Sequence, residues 1–312
     1  MTEQNPNPIV VAVGHDPIDA ALAFAAGEAV RAGCGLHLAH VVHHIIAQGP
    51  PNVLVTESDV EQVGRQALNA ALERARDLVE GIPVTAELRI GGVVPTLLDV
   101  ARDARMIVLQ RRDLSSMMRV VTRSVSSGVA ARARVPVVSV PTHWSPARTR
   151  GDFPTVTVGI DVPDRAEPVL RAAAAEATSR GAVLRVLHTW SFPSAYDDII
   201  LTRTESEEWA GRATAEIQTE IDMLGDDVAG VPVQIEARHA YAADALIDAS
   251  RETTMLVIGR HDALVPIGSH LGPIARAVLR EAECPVLLVD PRPAHGWSRR
   301  SQKAAQTAAH PV

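Results

Sequence analysis

Two halves of this chain repeat each other at a nearly constant spacing, so one structural plan has to be built twice. Leu36-His37-Leu38-Ala39-His40 returns 148 positions later as Leu184-Arg185-Val186-Leu187-His188. Leu97-Leu98-Asp99 returns as Leu246-Ile247-Asp248, and Gln110-Arg111-Arg112-Asp113 as Gly259-Arg260-His261-Asp262, both 149 positions on. Pro136-Val137-Val138-Ser139-Val140 matches Pro285-Val286-Leu287-Leu288-Val289 at the same spacing. Self-similarity this regular marks a tandem duplication. The expected organisation is a first domain over 1–141, a linker over 142–153, a second domain over 154–290 and a disordered polar tail over 291–312. The linker assignment rests on composition, PTHWSPARTRGDFP from Pro141 to Pro154, and the tail is polar and proline-containing.

Within the first half, apolar runs and helical stripes alternate. Ile9–Val13, Leu36–Val42, Val84–Ile90, Met106–Leu109 and Val135–Val140 read as strands. Ala20–Arg31, Thr56–Glu80, Pro95–Arg102 and Thr122–Ala133 carry apolar residues at helical spacing. Five strands separated by four helices are the signature of a doubly wound α/β domain with a parallel sheet. In the second half, Met255–Gly259 and Pro285–Val289 read as buried strands flanking a helix that starts at Pro273. Proline suits the first helical turn, where its missing N–H has no intrahelical partner to lose.

Composition narrows the function. A net charge of -7 argues against a nucleic-acid binder, and aromatics at 3% leave few stacking platforms. No apolar run reaches the roughly 20 residues of a membrane span, and Met1–Pro8 lacks the apolar core of a signal peptide. The two cysteines, Cys34 and Cys284, occupy non-matching places. They fit a reducing cytoplasm and the role of small buried side chains.

In an open parallel sheet, ligands sit at the carboxyl ends of strands where the strand order reverses. Gly159-Ile160-Asp161 closes the first strand of the second half, and the loop from Gly259 to Gly272 leads into the helix at Pro273. Strand, glycine loop and helix start together can hold a phosphate on backbone N–H groups and the helix dipole.

On these residues the chain resembles the universal stress protein family in its tandem two-domain form. That resemblance implies a five-stranded parallel sheet between helices in each half, joined to its partner through the last strands. In ATP-binding members the loop reads Gly, two residues, Gly, nine residues, Gly, then Ser or Thr. The second half keeps Asp161, Gly259 and Gly272, with the family's spacing of 13 between the two glycines. It departs at Asp262, where the second glycine belongs, and at Pro273, where the hydroxyl residue belongs; each change weakens phosphate binding. The resemblance thus implies ATP or another adenine nucleotide at Ile160, Asp161, His188, Gly259, Arg260, Gly268, Gly272 and Ile274. Arg260, His261 and His270 supply positive charge there, or belong to a solvated loop.

The first half departs further. Gly14 occupies the region of Asp161, and Gln110, Asp113 and Arg123 replace all three glycines, while Ser124 keeps the hydroxyl position. Arg111, Arg112, Arg119 and Arg123 make this loop basic; it reads as a solvated loop ahead of an anion site rebuilt from side chains. His40, His43 and His44 without Cys or carboxylate support are weak grounds for a metal, and Asp197-Asp198 reads as a solvated turn. Neither GxxxxGK[ST] nor GxSxG occurs, and no SGGxDS-like loop of an adenylating enzyme follows either first strand. A non-enzymatic cytoplasmic stress-response protein is expected, signalling through conformation or an unidentified protein partner, as an intramolecular pseudo-dimer or homo-oligomer. The alternative is a ligand-free scaffold with decayed nucleotide sites.

Overall fold

The computed structural model describes residues 7–14, 16–43, 57–111, 125–146, 153–191, 203–260 and 271–290. The first half runs β1 (Ile9–Val13), α1 (Asp19–Ala32), β2 (Leu36–Val42), α2 (Glu57–Leu78), β3 (Val84–Ile90), α3 (Val93–Val100), β4 (Met106–Arg111), α4 (Val125–Ala130) and β5 (Val137–Pro141). The second runs β6 (Thr155–Ile160), α5 (Glu167–Arg180), β7 (Val183–Trp190), α6 (Arg203–Leu224), β8 (Val233–His239), α7 (Ala242–Ala249), β9 (Met255–Gly259), α8 (Pro273–Glu281) and β10 (Val286–Val289). Helix α3 starts two residues ahead of the stretch expected from Pro95. Gly92 is its N-cap, and a proline in the first turn breaks no helical hydrogen bond. Helices α1 and α5 both end on a glycine in the left-handed region, Gly33 at φ 59° and Gly181 at φ 56°. The 6→1 bonds Cys34 N to Ala29 O (3.1 Å) and Ala182 N to Ala177 O (2.9 Å) close each end.

All ten strands belong to one sheet, in the order β3-β2-β1-β4-β5-β10-β9-β6-β7-β8. Pairing is parallel within each half, and only β5 and β10 run antiparallel. Val138 lies opposite Leu287, its own counterpart in the repeat, with Val137 opposite Leu288 and Ser139 opposite Val286. That register is what a local two-fold axis through Val138 and Leu287 produces. The expected joining of the halves through their last strands is therefore present. Val137, Val138, Leu287 and Leu288 are fully buried at this seam, each side chain contributing about 1.5–3 kcal/mol by leaving water.

Both faces of the sheet are covered. Helices α1, α2, α5 and α6 pack on one face over a core that includes Leu22, Ala25, Leu68, Val138, Leu170, Ile217 and Leu287. Helices α3, α4, α7 and α8 cover the other, with Leu97, Val129, Val137, Leu246, Val278 and Leu288. Each core runs without interruption from one half into the other. Trp144, within the stretch read as linker, packs edge-on against Phe24 at 5.6 Å between ring centroids, beside the first core. The outer strands carry matched charges, Glu87 and Arg89 on β3 and Glu236 and Arg238 on β8, which discourage further strand pairing.

On the α1/α5 face the seam holds a buried ionic cluster. Glu28 of α1, only 5% exposed, accepts from Arg31 at 2.6 Å and from Arg180 of α5 across the seam. Arg180 also pairs with Glu176 on its own helix. Burial pushes the Glu176 carboxyl above its usual range; Arg180 opposes the rise and Glu28 adds to it. Removing Arg180 leaves the largely buried Glu176 carboxylate without its partner, beside Glu28. Arg180→Ala should therefore cost about 3–5 kcal/mol in denaturant unfolding. Because the folded state holds the Glu176 proton more tightly than the unfolded chain, its contribution is full below the ordinary carboxylate pKa. It is lost as pH rises through the raised value. The stability of Glu176→Gln relative to the parent should accordingly improve between about pH 4 and about pH 7, read from unfolding midpoints at both.

Cys34 and Cys284 are both free and buried, as expected. Burial pushes the Cys284 thiol up to about 12. It should resist thiol reagents in the native protein and react only on unfolding, as mass spectrometry of labelled protein would reveal.

Candidate nucleotide site at the second switch point

In each half the strand order reverses between the first and fourth strands, β1/β4 and β6/β9. The crevice at the carboxyl ends of these strands is where the two copies can be compared residue by residue.

The ends of the first two strands are built alike. Ile160 pairs with His188 and Val13 with His40, so Gly14 does stand at the position of Asp161. His188 Nδ1 lies 3.2 Å from the Ile160 carbonyl and His40 Nδ1 2.9 Å from that of Val13. A carbonyl only accepts, so Nδ1 carries the proton in both rings. Each histidine thus ties the second strand to the end of the first. His40 is buried, whereas His188 is half-exposed. Part of that difference comes from Gly64 of α2, where a Cβ would stand 2.8 Å from the His40 ring. Lacking one, the helix lies directly over the imidazole. Asp161 is exposed just beyond β6.

The fourth strands end differently. In the first half Gln110 reaches across the crevice: its Oε1 accepts from Ala21 N at 3.1 Å, and its Nε2 donates to Pro17 O at 2.6 Å. One side chain therefore serves the first turn of α1 and bridges the β1/β4 reversal. Gly259 stands at the equivalent place in the second half and has no side chain to make such a bridge. There the amides of Val169 and Leu170 both turn back to Ala166 O. Helix α8 begins at Pro273 as expected, with Gly272 as N-cap. Gly272 sits at φ -67° and ψ 167°, in extended backbone. Since α8 links two parallel strands, its N-terminus lies at the same sheet edge as Gly259.

Not every expected site residue turns its side chain to the crevice. Arg260 is 6% exposed and donates from Nη1 to the Ala133 carbonyl of the first half at 2.5 Å. Strand alternation turns its side chain to the face opposite that of Gly259, so it does not supply positive charge to the crevice. Arg111, read as part of a basic solvated loop, does the mirror-image thing, donating to Ala282 O at 2.5 Å. Ile274, on the first turn of α8, is 41% exposed, and Ile160 is a core side chain that offers the crevice only backbone. Gly268, His261, Asp262 and His270 lie outside the described residues, as do His44, Arg112, Asp113, Arg119, Arg123, Ser124 and the Asp197-Asp198 pair. Among the described residues no group of three His, Cys, Asp or Glu could hold a metal ion, and no helix is long and apolar enough to cross a membrane.

One cluster escaped the sequence reading. Trp190, two residues beyond His188 on β7, stacks on His239 at 4.4 Å and faces Trp209 of α6 at 6.1 Å, with Arg212 over the Trp209 ring at 4.8 Å. Scarce aromatics from three separate elements meet beside the crevice, and no local pattern announces that.

The model of the universal stress protein family matches residues 6–141 and again 152–290. The chain belongs to the universal stress protein family. A universal stress protein of Mycolicibacterium smegmatis is 29% identical over 286 residues, covering 88% of this chain and 93% of its own. The crystal structure of a universal stress protein from Archaeoglobus fulgidus superposes with a TM-score of 0.67 at 16% identity, over 90% of this chain and 96% of that one. This likeness establishes the shared fold. A second Archaeoglobus fulgidus member, solved in complex with dAMP, spans 43% of this chain with 96% of its own, at a TM-score of 0.33 and 24% identity. The dAMP is a property of that protein.

Gln110→Ala removes both bonds that tie β4 to the start of α1. A loss of about 1–2 kcal/mol in unfolding free energy is expected, measured by denaturant titration.

Proposed function

We propose that this universal stress protein binds an adenine nucleotide, ATP being the ligand in view, at the second switch point only. Occupancy is then passed on through conformation or a protein partner. The observation that carries the reading is the contrast between Gln110 and Gly259. A side chain spans the first crevice, while the second offers backbone at the same position. Asp161, exposed beside it, would accept hydrogen bonds from ribose or adenine, and Gly272 is the N-cap of α8 at the same edge. The site contains no positioned nucleophile or base among these residues, which favours binding over catalysis.

A second reading, a ligand-free scaffold, draws on Pro273, which lacks a donor N–H, on the turning away of Arg260, and on the closed first turn of α5. Calorimetric titration with ATP separates the two. One equivalent or less per chain is expected, and two equivalents would contradict the assignment. Asp262→Gly should tighten binding by about 1 kcal/mol, the scale of repulsion between solvated like charges. Asp113→Gly in the first half should leave affinity unchanged. No heat in any of the three proteins, with no nucleotide released on denaturation, favours the scaffold.

A further inference from the structure

On the α3/α4/α7/α8 face the two halves exchange a pair of hydrogen bonds that nothing in the site chemistry requires. Arg111 closes β4 and reaches the carbonyl of Ala282, the C-cap residue of α8. Arg260 follows β9 and reaches the carbonyl of Ala133, just past α4. Arg111 and Arg260 are counterparts in the repeat, and so are Ala133 and Ala282, so the two bonds are related by the same two-fold axis as the β5–β10 register. Both amides next to these carbonyls close their own helix ends, Ala282 N to Val278 O at 2.9 Å and Ala133 N to Val129 O at 2.8 Å. Each guanidinium therefore meets the negative end of the helix dipole in the opposite half.

Both bonds bear on the second half, because only that half keeps glycines at its loop ends. Arg260 directly follows Gly259, and its own amide is bonded to Val289 O at 3.0 Å. Its side chain fixes the strand-side border of the Gly259–Gly272 stretch to the first half. Arg111 fixes the helix-side border from the far end, by holding the C-terminus of α8, whose N-cap is Gly272. A helix of nine residues transmits a shift at one end to the other nearly rigidly, and misplacing donors by about 1 Å is enough to weaken a site that depends on them.

We propose that Arg111 and Arg260 form a reciprocal latch by which the first half positions both borders of the nucleotide loop in the second. The first half, its own crevice bridged by Gln110, acts as the positioning partner of its twin's site. The inference rests on the nucleotide reading above for its effect on affinity, and on geometry alone for its effect on the loop borders.

The test uses the full chain in parallel variants: Arg111→Ala, Arg260→Ala, the conservative Arg111→Lys and Arg260→Lys, and Val138→Ala as a seam control that leaves the latch intact. Two readouts are taken, ATP affinity by calorimetry and amide hydrogen exchange of Ile258–Arg260 and Ala275–Leu279 without nucleotide. Each alanine variant should bind ATP about tenfold more weakly than a Val138→Ala protein of comparable melting temperature. Each should also exchange selectively faster at its border, α8 for Arg111 and the end of β9 for Arg260, with the lysine variants in between. If an alanine variant does not fold, its lysine variant decides the same comparison. Affinity and exchange no different from Val138→Ala would overturn the latch, as would faster exchange with unchanged affinity in a parent that binds ATP. A parent that binds no ATP, with alanine variants that still show the selective exchange, would sink the nucleotide reading and leave the latch standing.

Discussion

The antiparallel pairing of β5 with β10 is the constraint on which the rest of the molecule depends. A five-stranded parallel sheet with an apolar last strand cannot stay alone in water: Val137, Val138, Leu287 and Leu288 would present bare hydrocarbon, and the strand edges unpaired amides. Duplication solves both problems within one chain. The repeated strand meets its copy about a two-fold axis, the sheet becomes continuous over ten strands, and each face carries one core shared by both halves. The halves cannot part without exposing both cores.

The same axis organises the polar contacts. On one face it brings the ends of α1 and α5 together, and Glu28, Glu176, Arg31 and Arg180 neutralise one another there. On the other it sets Arg111 and Arg260 against the opposite halves' helix ends. The two devices differ in symmetry. The arginine–carbonyl pair is reciprocal, because every member recurs in the repeat. In the ionic cluster only the glutamates correspond, with Arg31 and Arg180 entering at non-equivalent positions. The seam is thus nearly two-fold in backbone and unequal in charge, and it holds two copies whose crevices have diverged.

That divergence turns on very little. The strand ends are alike down to the histidine–carbonyl bond; what differs is the residue after the last apolar position of the fourth strand. A glutamine there finds a carbonyl on one side and an amide on the other, and the crevice is spanned from within. A glycine leaves backbone. One copy closes its crevice with a side chain, and the other leaves backbone at the same place.

Fold class and duplication were legible in the sequence, because they follow from periodicity and repetition; the joining of last strands was implied by the family resemblance. Apolar runs of strand length separated by helical stripes point to one architecture, and nearly constant offsets from Leu36 to Val289 require two copies of it. Gly259, Gly272, Asp161 and His188 could also be placed at the carboxyl edge, since topology alone puts strand ends and helix starts there. Tertiary structure decided the direction and partners of long side chains. Arg260 follows Gly259 and so read as part of the same site, yet pleating turns it to the opposite face, where a carbonyl 127 residues away waits. Gln110 read as the loss of a glycine; its bonds to Pro17 and Ala21 depend on helix α1 starting within reach. The tryptophan–histidine stack unites β7, α6 and β8. Periodicity records which face of its own element a residue occupies, and the partner across that face exists only once the chain has folded.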